Sequence, residues 1–359
     1  MPVPHHHRPV GPLTGGVLAL AVLAVSSSAP LVAFAAAPAL AIAFWRNLLA
    51  VGVLGPFALA RRRAEFRALA RSGTGSDGPA GTGRDGPMGA GRDGRAPAVA
   101  GRREGWWCVL SGVALAAHFA TWMPSVQLTS VAAAVALVAT QPVWQGLIAR
   151  GQGRRLPPAV WVGVAVAVGG AVLASGADFA VSGRAFAGDL LAVAGGLFAA
   201  IYTALGERAR ATVTTTTYTT ICYGVCALIL LVVCLVGGVP LGGYDTGTWL
   251  AILGLVAGAQ LLGHSMFNYA LRRVSATTVS LLILLEAPGA ALLAWAWLGQ
   301  LPRVGALPGL ALILAGVTVV VLGGARAGRR AVPVPLPADA APLPAGPGPL
   351  PGSAPDRSA

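Results

Sequence analysis

The chain has 359 residues, of which 55% are hydrophobic and only 10% are charged, and its mean hydropathy is +0.72. A soluble domain carries about 25% charged residues, so the composition excludes an ordinary soluble protein and favours a polytopic membrane protein. The net charge of +13 does not indicate nucleic-acid binding, because all 25 basic residues are arginines that lie between apolar segments.

Ten apolar segments follow one another along the chain, and each is long enough to cross a ~30 Å hydrocarbon core as a helix. The first segment also resembles a signal peptide, but apolar sequence continues past the candidate cleavage site near Ser26–Pro30. We therefore interpret it as a membrane helix. The predicted helices are residues 13–36, 39–60, 105–125, 129–149, 157–176, 188–206, 214–236, 247–270, 276–298 and 303–324.

The arginines indicate how these helices are oriented. With the N-terminus in the cytoplasm, 22 arginines fall in inside segments, two (Arg184 and Arg303) fall in outside loops, and Arg46 lies within a helix. Cytoplasmic loops of membrane proteins are enriched in arginine and lysine. The sequence therefore predicts a multi-pass protein of the cell membrane with both termini on the cytoplasmic side.

Two segments have a composition that cannot bury enough apolar surface to fold. Residues 61–104 are rich in Gly, Arg, Asp, Ser and Pro, and residues 326–359 are rich in Pro and Ala. We predict a disordered cytoplasmic loop for the first and a disordered cytoplasmic tail for the second.

The chain also contains a weak internal repeat. A constant shift of 146 residues relates four pairs of polar or helix-breaking residues: His118 and His264, Thr129 and Ser275, Pro142 and Pro288, and Gly170 and Gly316. This predicts two repeats of five helices each, at residues 13–176 and 188–325. Because five is odd, the repeats must have opposite orientations. The predicted fold is an all-α membrane protein of ten helices in two inverted repeats, with a binding site where the halves meet.

Ionisable side chains inside the membrane are costly, so each is a candidate functional residue. Glu286 lies near the middle of the ninth helix, and Pro288 removes a backbone hydrogen bond close to it. A carboxylate beside a helix break is suited to bind a cation, a substrate amine or a proton. A fixed ion pair with Arg46 is the structural alternative. Arg46 is itself a candidate for binding an anionic group, or for a purely structural contact.

Further candidate site residues lie close to the repeat signature. His118 and His264 are candidate proton relays, or are simply hydrogen-bonded to neighbouring helices. Trp122 and Asn268 follow them by four residues and share their helix faces. The remaining candidates are Gln141 and Tyr202 as cavity residues, and Pro142 and Pro288 as helix breaks.

No soluble-type catalytic motif, phosphate-binding loop or metal-ligand spacing stands out. The four cysteines lie in apolar segments and predict neither a disulfide framework nor a metal site. We therefore expect no enzymatic activity, no cofactor and no metal, and transport driven by a gradient. A membrane-embedded enzyme is disfavoured because the polar residues are sparse and lie at mid-membrane.

Three segments resemble the drug/metabolite transporter superfamily, specifically its EamA-type repeat. They are Ala43–Ala50 around Arg46, Val138–Trp144 around Pro142, and Leu284–Gly299, which carries Glu286 and is the most specific. The resemblance covers about residues 13–325 in two tandem copies. It implies ten helices in inverted five-helix repeats and movement of small metabolites, often outward. One departure is Gln300, since the family often has Glu after the corresponding Leu-Gly.

The function predicted from these observations is secondary-active export of small metabolites or amphipathic compounds by alternating access. Protons are a candidate coupling ion, and the partners are a small-molecule substrate and the lipid bilayer, with no nucleic acid. Import of a small metabolite is one alternative. A non-transporting membrane scaffold or sensor that uses residues 61–104 and the tail is the other.

Overall fold

The structure is a computed structural model that describes residues 12–70, 101–129, 131–174, 183–298 and 304–330. Every regular element within these ranges is a helix. The α-helices are α1 (Pro12–Ser26), α2 (Ser28–Phe34), α3 (Ala39–Arg61), α4 (Arg63–Ala70), α5 (Arg102–Leu128), α6 (Val131–Val138), α7 (Gln141–Gly151), α8 (Pro158–Ala174), α9 (Gly183–Arg210), α10 (Thr215–Val236), α11 (Thr246–Leu255), α12 (Ser265–Ala270), α13 (Ala276–Ile283), α14 (Glu286–Leu298) and α15 (Leu307–Arg330).

Six helices in the described ranges are long and apolar enough to cross a membrane. They are Pro12–Val32, Ala39–Arg61, Arg102–Leu128, Gly183–Arg210, Thr215–Val236 and Thr246–Ala270. Three shorter apolar helices accompany them, at Pro158–Leu173, Ala276–Ala290 and Leu307–Val319. Each of the ten predicted apolar segments contains helix, and the first, fourth, eighth and ninth are each divided into shorter helical elements. The all-helical membrane class is therefore confirmed.

Helices extend into the predicted disordered segments at three of their boundaries, and one of these is the start of α5 at Arg102. The start of the loop predicted at 61–104 forms α4, an amphipathic helix whose Leu69 is buried against the body of the protein. Helix α15 continues to Arg330, past the predicted start of the tail at residue 326. Most of the loop (71–100) and of the tail (331–359) lies outside the described residues.

Two helices are interrupted at corresponding places in the two repeats. Residues 139–140 separate α6 from α7, and residues 284–285 separate α13 from α14. Pro142 and Pro288 then lie in the first turn of the new helix, where a missing N–H removes no intrahelical bond. The amides of Leu284 and Leu285 instead make short turn-type bonds to the carbonyls three residues earlier.

A third irregularity lies within the span Thr246–Ala270. Between α11 and α12 the backbone follows a π-helix over Val256–His264, and the amide of Ser265 donates to the carbonyl of Gln260. The wider turn changes which residues face the interior. Such segments are uncommon and are often found at functional sites.

A close helix contact joins α8 to α15 through glycines. A Cβ added to Gly170 would lie 2.7 Å from the carbonyl oxygen of Gly309, and one added to Gly316 would lie 2.6 Å from that of Gly163. These two contacts are related by the same shift of 146 residues, since it carries 163 to 309 and 170 to 316. Only glycine allows the backbones to approach this closely.

We expect Gly170→Ala and Gly316→Ala each to lower the free energy of unfolding by about 1–3 kcal/mol, because the new methyl group would push two backbones apart. Gly169→Ala is the matched control. Its added Cβ would meet no atom within 4 Å, so alanine should be neutral or stabilising by up to about 1 kcal/mol. Thermal unfolding of the detergent-solubilised variants measures the difference. Equal effects at positions 169 and 170 would contradict the proposed close packing.

Candidate functional site

A cavity of about 80 Å³ lies in the interior between the helices. A void of this size holds only a few water molecules, so a larger solute requires its walls to move. Its walls are mainly apolar, and the polar groups among them include most of the residues predicted from the sequence. Nine of the ten predicted site residues line it: Arg46, His118, Trp122, Gln141, Pro142, Tyr202, His264, Asn268 and Glu286. Pro288 does not.

Arg46 reaches the cavity from α3 and is fully buried. Its Nε donates to Oε1 of Gln260 at 2.8 Å, and the guanidinium lies 4.5 Å from the centroid of the Phe119 ring. Neither Nη1 nor Nη2 has a hydrogen-bond partner among the described residues. A buried donor without a partner costs about 1–3 kcal/mol, and more when it is charged. The free edge of Arg46 is therefore a candidate for binding an anionic group.

Glu286 is the first residue of α14 and lines the same cavity. The positive end of a helix dipole favours a carboxylate at this position. Arg46 and Glu286 do not form an ion pair: within the described ranges, only Arg154 and Glu207 come within 4.0 Å. The fixed Arg46–Glu286 pair considered from the sequence is thus not formed in this structure, and the two groups remain separately available.

The two repeat-related histidines have different surroundings. His118 is buried, its Nδ1 lies 2.9 Å from the carbonyl oxygen of Gly195, and its ring stacks on Trp122 at 5.9 Å. This contact matches the structural interpretation, a histidine bonded to a neighbouring helix. His264 ends the π-helical segment and meets Phe119 and Tyr202 edge-on at 5.9 and 6.4 Å. It is held by ring contacts and faces the cavity.

Gln141 connects three helices at one side of the cavity. Its Nε2 donates to the hydroxyl of Thr203 in α9 at 3.2 Å and to that of Ser280 in α13 at 3.1 Å. Gln141 begins α7 directly after the break between α6 and α7. The contact therefore links the two interrupted helices across the cavity wall.

A buried polar network behind the cavity was missed from the sequence. From Arg46 it passes through Gln260 to Asn47, whose Oδ1 accepts from Gln260 Nε2 at 3.0 Å. From the carbonyl oxygen of Gln260 it continues by hydrogen bonds through Ser265, Tyr223, Asn268 and Tyr202. The one available signal was Gln260 itself, a polar residue in an apolar segment four residues before His264.

This arrangement can hold a small solute that carries at least one charged group. Arg46 offers two free donors, Glu286 offers a carboxyl group, and rings such as Phe119 and Trp122 cover the remaining surface. Most of the polar atoms around these groups already have partners, so the network keeps Arg46 and Asn268 in fixed positions. The geometry is that of a binding site in an apolar interior.

Comparisons with known proteins concern the family and the fold of the chain. The model of the EamA-like transporter family matches residues 186–322, which include Tyr202, His264, Asn268 and Glu286. A solved structure, described only as the crystal structure of a protein, matches 88% of this chain and 98% of its own with a TM-score of 0.67. At 19% identity that likeness shows the fold alone. No curated protein matches the chain significantly.

The family is typically non-enzymatic and implies a small-molecule substrate and a membrane environment. The six apolar helices fit that environment. A region of this multi-pass membrane protein, residues 186–322, thus matches the EamA-like transporter family, part of the drug/metabolite transporter superfamily.

Proposed function

We propose that the protein is a secondary-active transporter that exports a small metabolite or amphipathic compound through the central cavity. The observation that carries this proposal is the free edge of Arg46. A fully buried guanidinium with two unpartnered Nη atoms has a cost to stability that a structural role does not explain. A solute that binds there only in part of a transport cycle does explain it.

The proposed architecture is ten transmembrane helices in two inverted five-helix repeats, at residues 13–176 and 188–325. Three observations support it. The helix breaks precede Pro142 and Pro288, which the shift of 146 residues relates. The same shift exchanges the two glycine contacts between α8 and α15. Helix α1, the first helix of the first repeat, packs on the π-helical segment and on α14. Helix α9, the first helix of the second repeat, makes the equivalent contacts with α5, α6 and α7.

In this proposal each charged residue has a separate role. Arg46 binds an anionic group of the substrate, and Glu286 binds a cationic group or the coupling proton. Tyr202, His264 and Asn268 contact the solute from the second repeat, while His118, Trp122 and Gln141 shape the side formed by the first repeat. Because the cavity holds only a few waters as it stands, rocking of one repeat against the other must open it to each side in turn.

The protein is placed in the cell membrane with both termini in the cytoplasm, because this orientation puts 22 arginines inside. Import through the same cavity is the nearest alternative. Direction depends on the gradient that drives the cycle, and the cavity lining is the same for both.

Metabolite profiling tests the proposal. A host strain that overproduces the protein is compared with the empty host, and small molecules are measured in cells and medium. Export predicts a compound enriched in the medium, whereas depletion of a compound from the medium would indicate import. A variant that lacks residues 71–100 and 331–359 serves as the control for a scaffold. A transporter keeps its metabolite effect after this deletion, and a scaffold or sensor loses its effect.

A further inference from the structure

A second polar pocket lies where several helices end together. Four arginines, Tyr269 and the stretch 214–216 line it; the arginines are Arg62, Arg210, Arg272 and Arg273. Arg62 follows the end of α3, Arg210 ends α9, and residues 272–273 follow α12. No acidic side chain is among the lining residues.

The positive charge of this pocket is only partly balanced by the protein, through the nearby carboxylate of Glu65. Arg62, Arg272 and Arg273 are exposed, and none of the four arginines has a carboxylate partner within 4.0 Å in the described part of the chain. The guanidinium of Arg273 lies 4.5 Å from the centroid of the Tyr269 ring, which holds it beside the pocket. The pocket is thus lined by three exposed arginines and by the buried Arg210.

The nearby acidic group already has its partners. Glu65 of α4 accepts hydrogen bonds from the backbone amide and hydroxyl of Thr214 and from the hydroxyl of Thr217, each at 2.7 Å. It therefore caps the start of α10 from a different helix. The start of α10 therefore already has its hydrogen-bond partners. The groups of the pocket that could bind an anion are the arginine side chains.

Arg210 gives the pocket a rigid base. It is 2% exposed, its Nε donates to the carbonyl oxygen of Asn268 at 2.9 Å, and its Nη2 donates to the hydroxyl of Thr215 at 2.6 Å. A third bond runs from Nη1 to the carbonyl oxygen of Val213. These bonds fix a buried positive charge between α9, α10 and α12. They also join the pocket to Asn268, whose side chain lines the central cavity.

We propose that this pocket binds the phosphate of an anionic phospholipid. The pocket lies at the ends of three candidate membrane-spanning helices, and the proposed orientation puts these ends at the headgroups of the cytoplasmic leaflet. Basic pockets between helices at that depth suit anionic headgroups, and guanidinium groups bind phosphate oxygens in pairs of hydrogen bonds. The site is independent of the transported substrate, and through Arg210 its occupancy stabilises the α9–α12 junction.

Thermal unfolding of the purified full-length protein in a non-ionic detergent tests this site. We expect phosphatidylglycerol to raise the Tm of the native protein by about 3 °C or more, while phosphatidylcholine and inorganic phosphate do not. The double variant Arg272→Gln/Arg273→Gln and the single variant Arg62→Gln should lose more than about half of this shift. Arg62 is exposed, so its variant keeps the test valid if the double variant folds poorly.

The double variant Arg150→Gln/Arg155→Gln is the matched control, because it removes two exposed charges outside the pocket. It should keep the full lipid shift. Three results would overturn the proposal: no shift of the native protein with phosphatidylglycerol, an equal loss of the shift in the control variant, or an equal shift with inorganic phosphate. The last result would assign the pocket to a soluble anion instead.

Discussion

Arg46→Gln is expected to reduce transport of the metabolite identified by profiling by about tenfold to a hundredfold. The reason is that Nη1 and Nη2 are charged donors in the cavity lining that have no partner, and a hydrogen bond to a charged group contributes about 1.5–3 kcal/mol. Each 1.36 kcal/mol corresponds to a factor of ten. Rates of efflux from cells with equal membrane levels of both proteins measure the loss.

The stability of a second variant at this position, Arg46→Met, distinguishes a functional role of Arg46 from a structural one. In Arg46→Met the free energy of unfolding is expected to fall by less than about 1 kcal/mol, or to rise, because a buried charge with unpartnered donors is removed. Arg154→Gln, which breaks the partly exposed pair with Glu207, is the control and should transport normally. Native-like transport by Arg46→Gln, or loss of folding in Arg46→Met, would show that Arg46 has a structural role.

The second large effect is expected at Glu286, where Glu286→Gln should reduce transport by about tenfold or more. Glutamine keeps the size and the hydrogen-bonding ability of the side chain and removes only its charge and its proton. If a proton is the coupling ion, the dependence of transport on an imposed pH gradient should disappear as well. The free energy of unfolding should change by only about 0.3–1 kcal/mol, the usual contribution of a charge at a helix N-terminus.

Glu104→Gln is the matched control for this prediction. Glu104 also lies in the first turn of a helix, where its Oε2 accepts from the amide of Gly101 at 2.9 Å. It does not line the cavity. The two substitutions should have similar effects on stability, but only Glu286→Gln should reduce transport. If both variants transport equally well, Glu286 is a helix-capping residue and its proposed role is wrong.

The helices and most of the cavity-lining polar residues could be predicted from the sequence because both follow from the cost of placing polar groups in an apolar environment. Polar groups such as Arg46, Asn268 and Glu286 are costly in an apolar chain, so they can persist only where they meet one another or a solute. Their burial around one cavity follows from that cost, and the positions of the helices follow from the lengths of the apolar segments.

Other features depended on distances that residue types do not specify. Whether Arg46 pairs with Glu286 or with Gln260 is decided by the depth of each side chain, and no one-dimensional pattern contains that information. The π-helical register of Val256–His264 has no local sequence signature. Helix α4 was missed although arginine and alanine favour helix, because its eight residues were interpreted together with the Gly- and Pro-rich stretch that follows.

Access to the cavity from both sides of the membrane is the most direct test of the transport proposal. Ser280 lines the cavity and is fully buried, and Ser280→Cys places a thiol there with little change in size. The native protein provides the baseline, because its four cysteines are buried. A small membrane-impermeant thiol reagent is applied to whole cells and to inside-out vesicles. Alternating access predicts labelling of the introduced thiol above the baseline from both sides, whereas labelling from one side alone, or from neither, would contradict it.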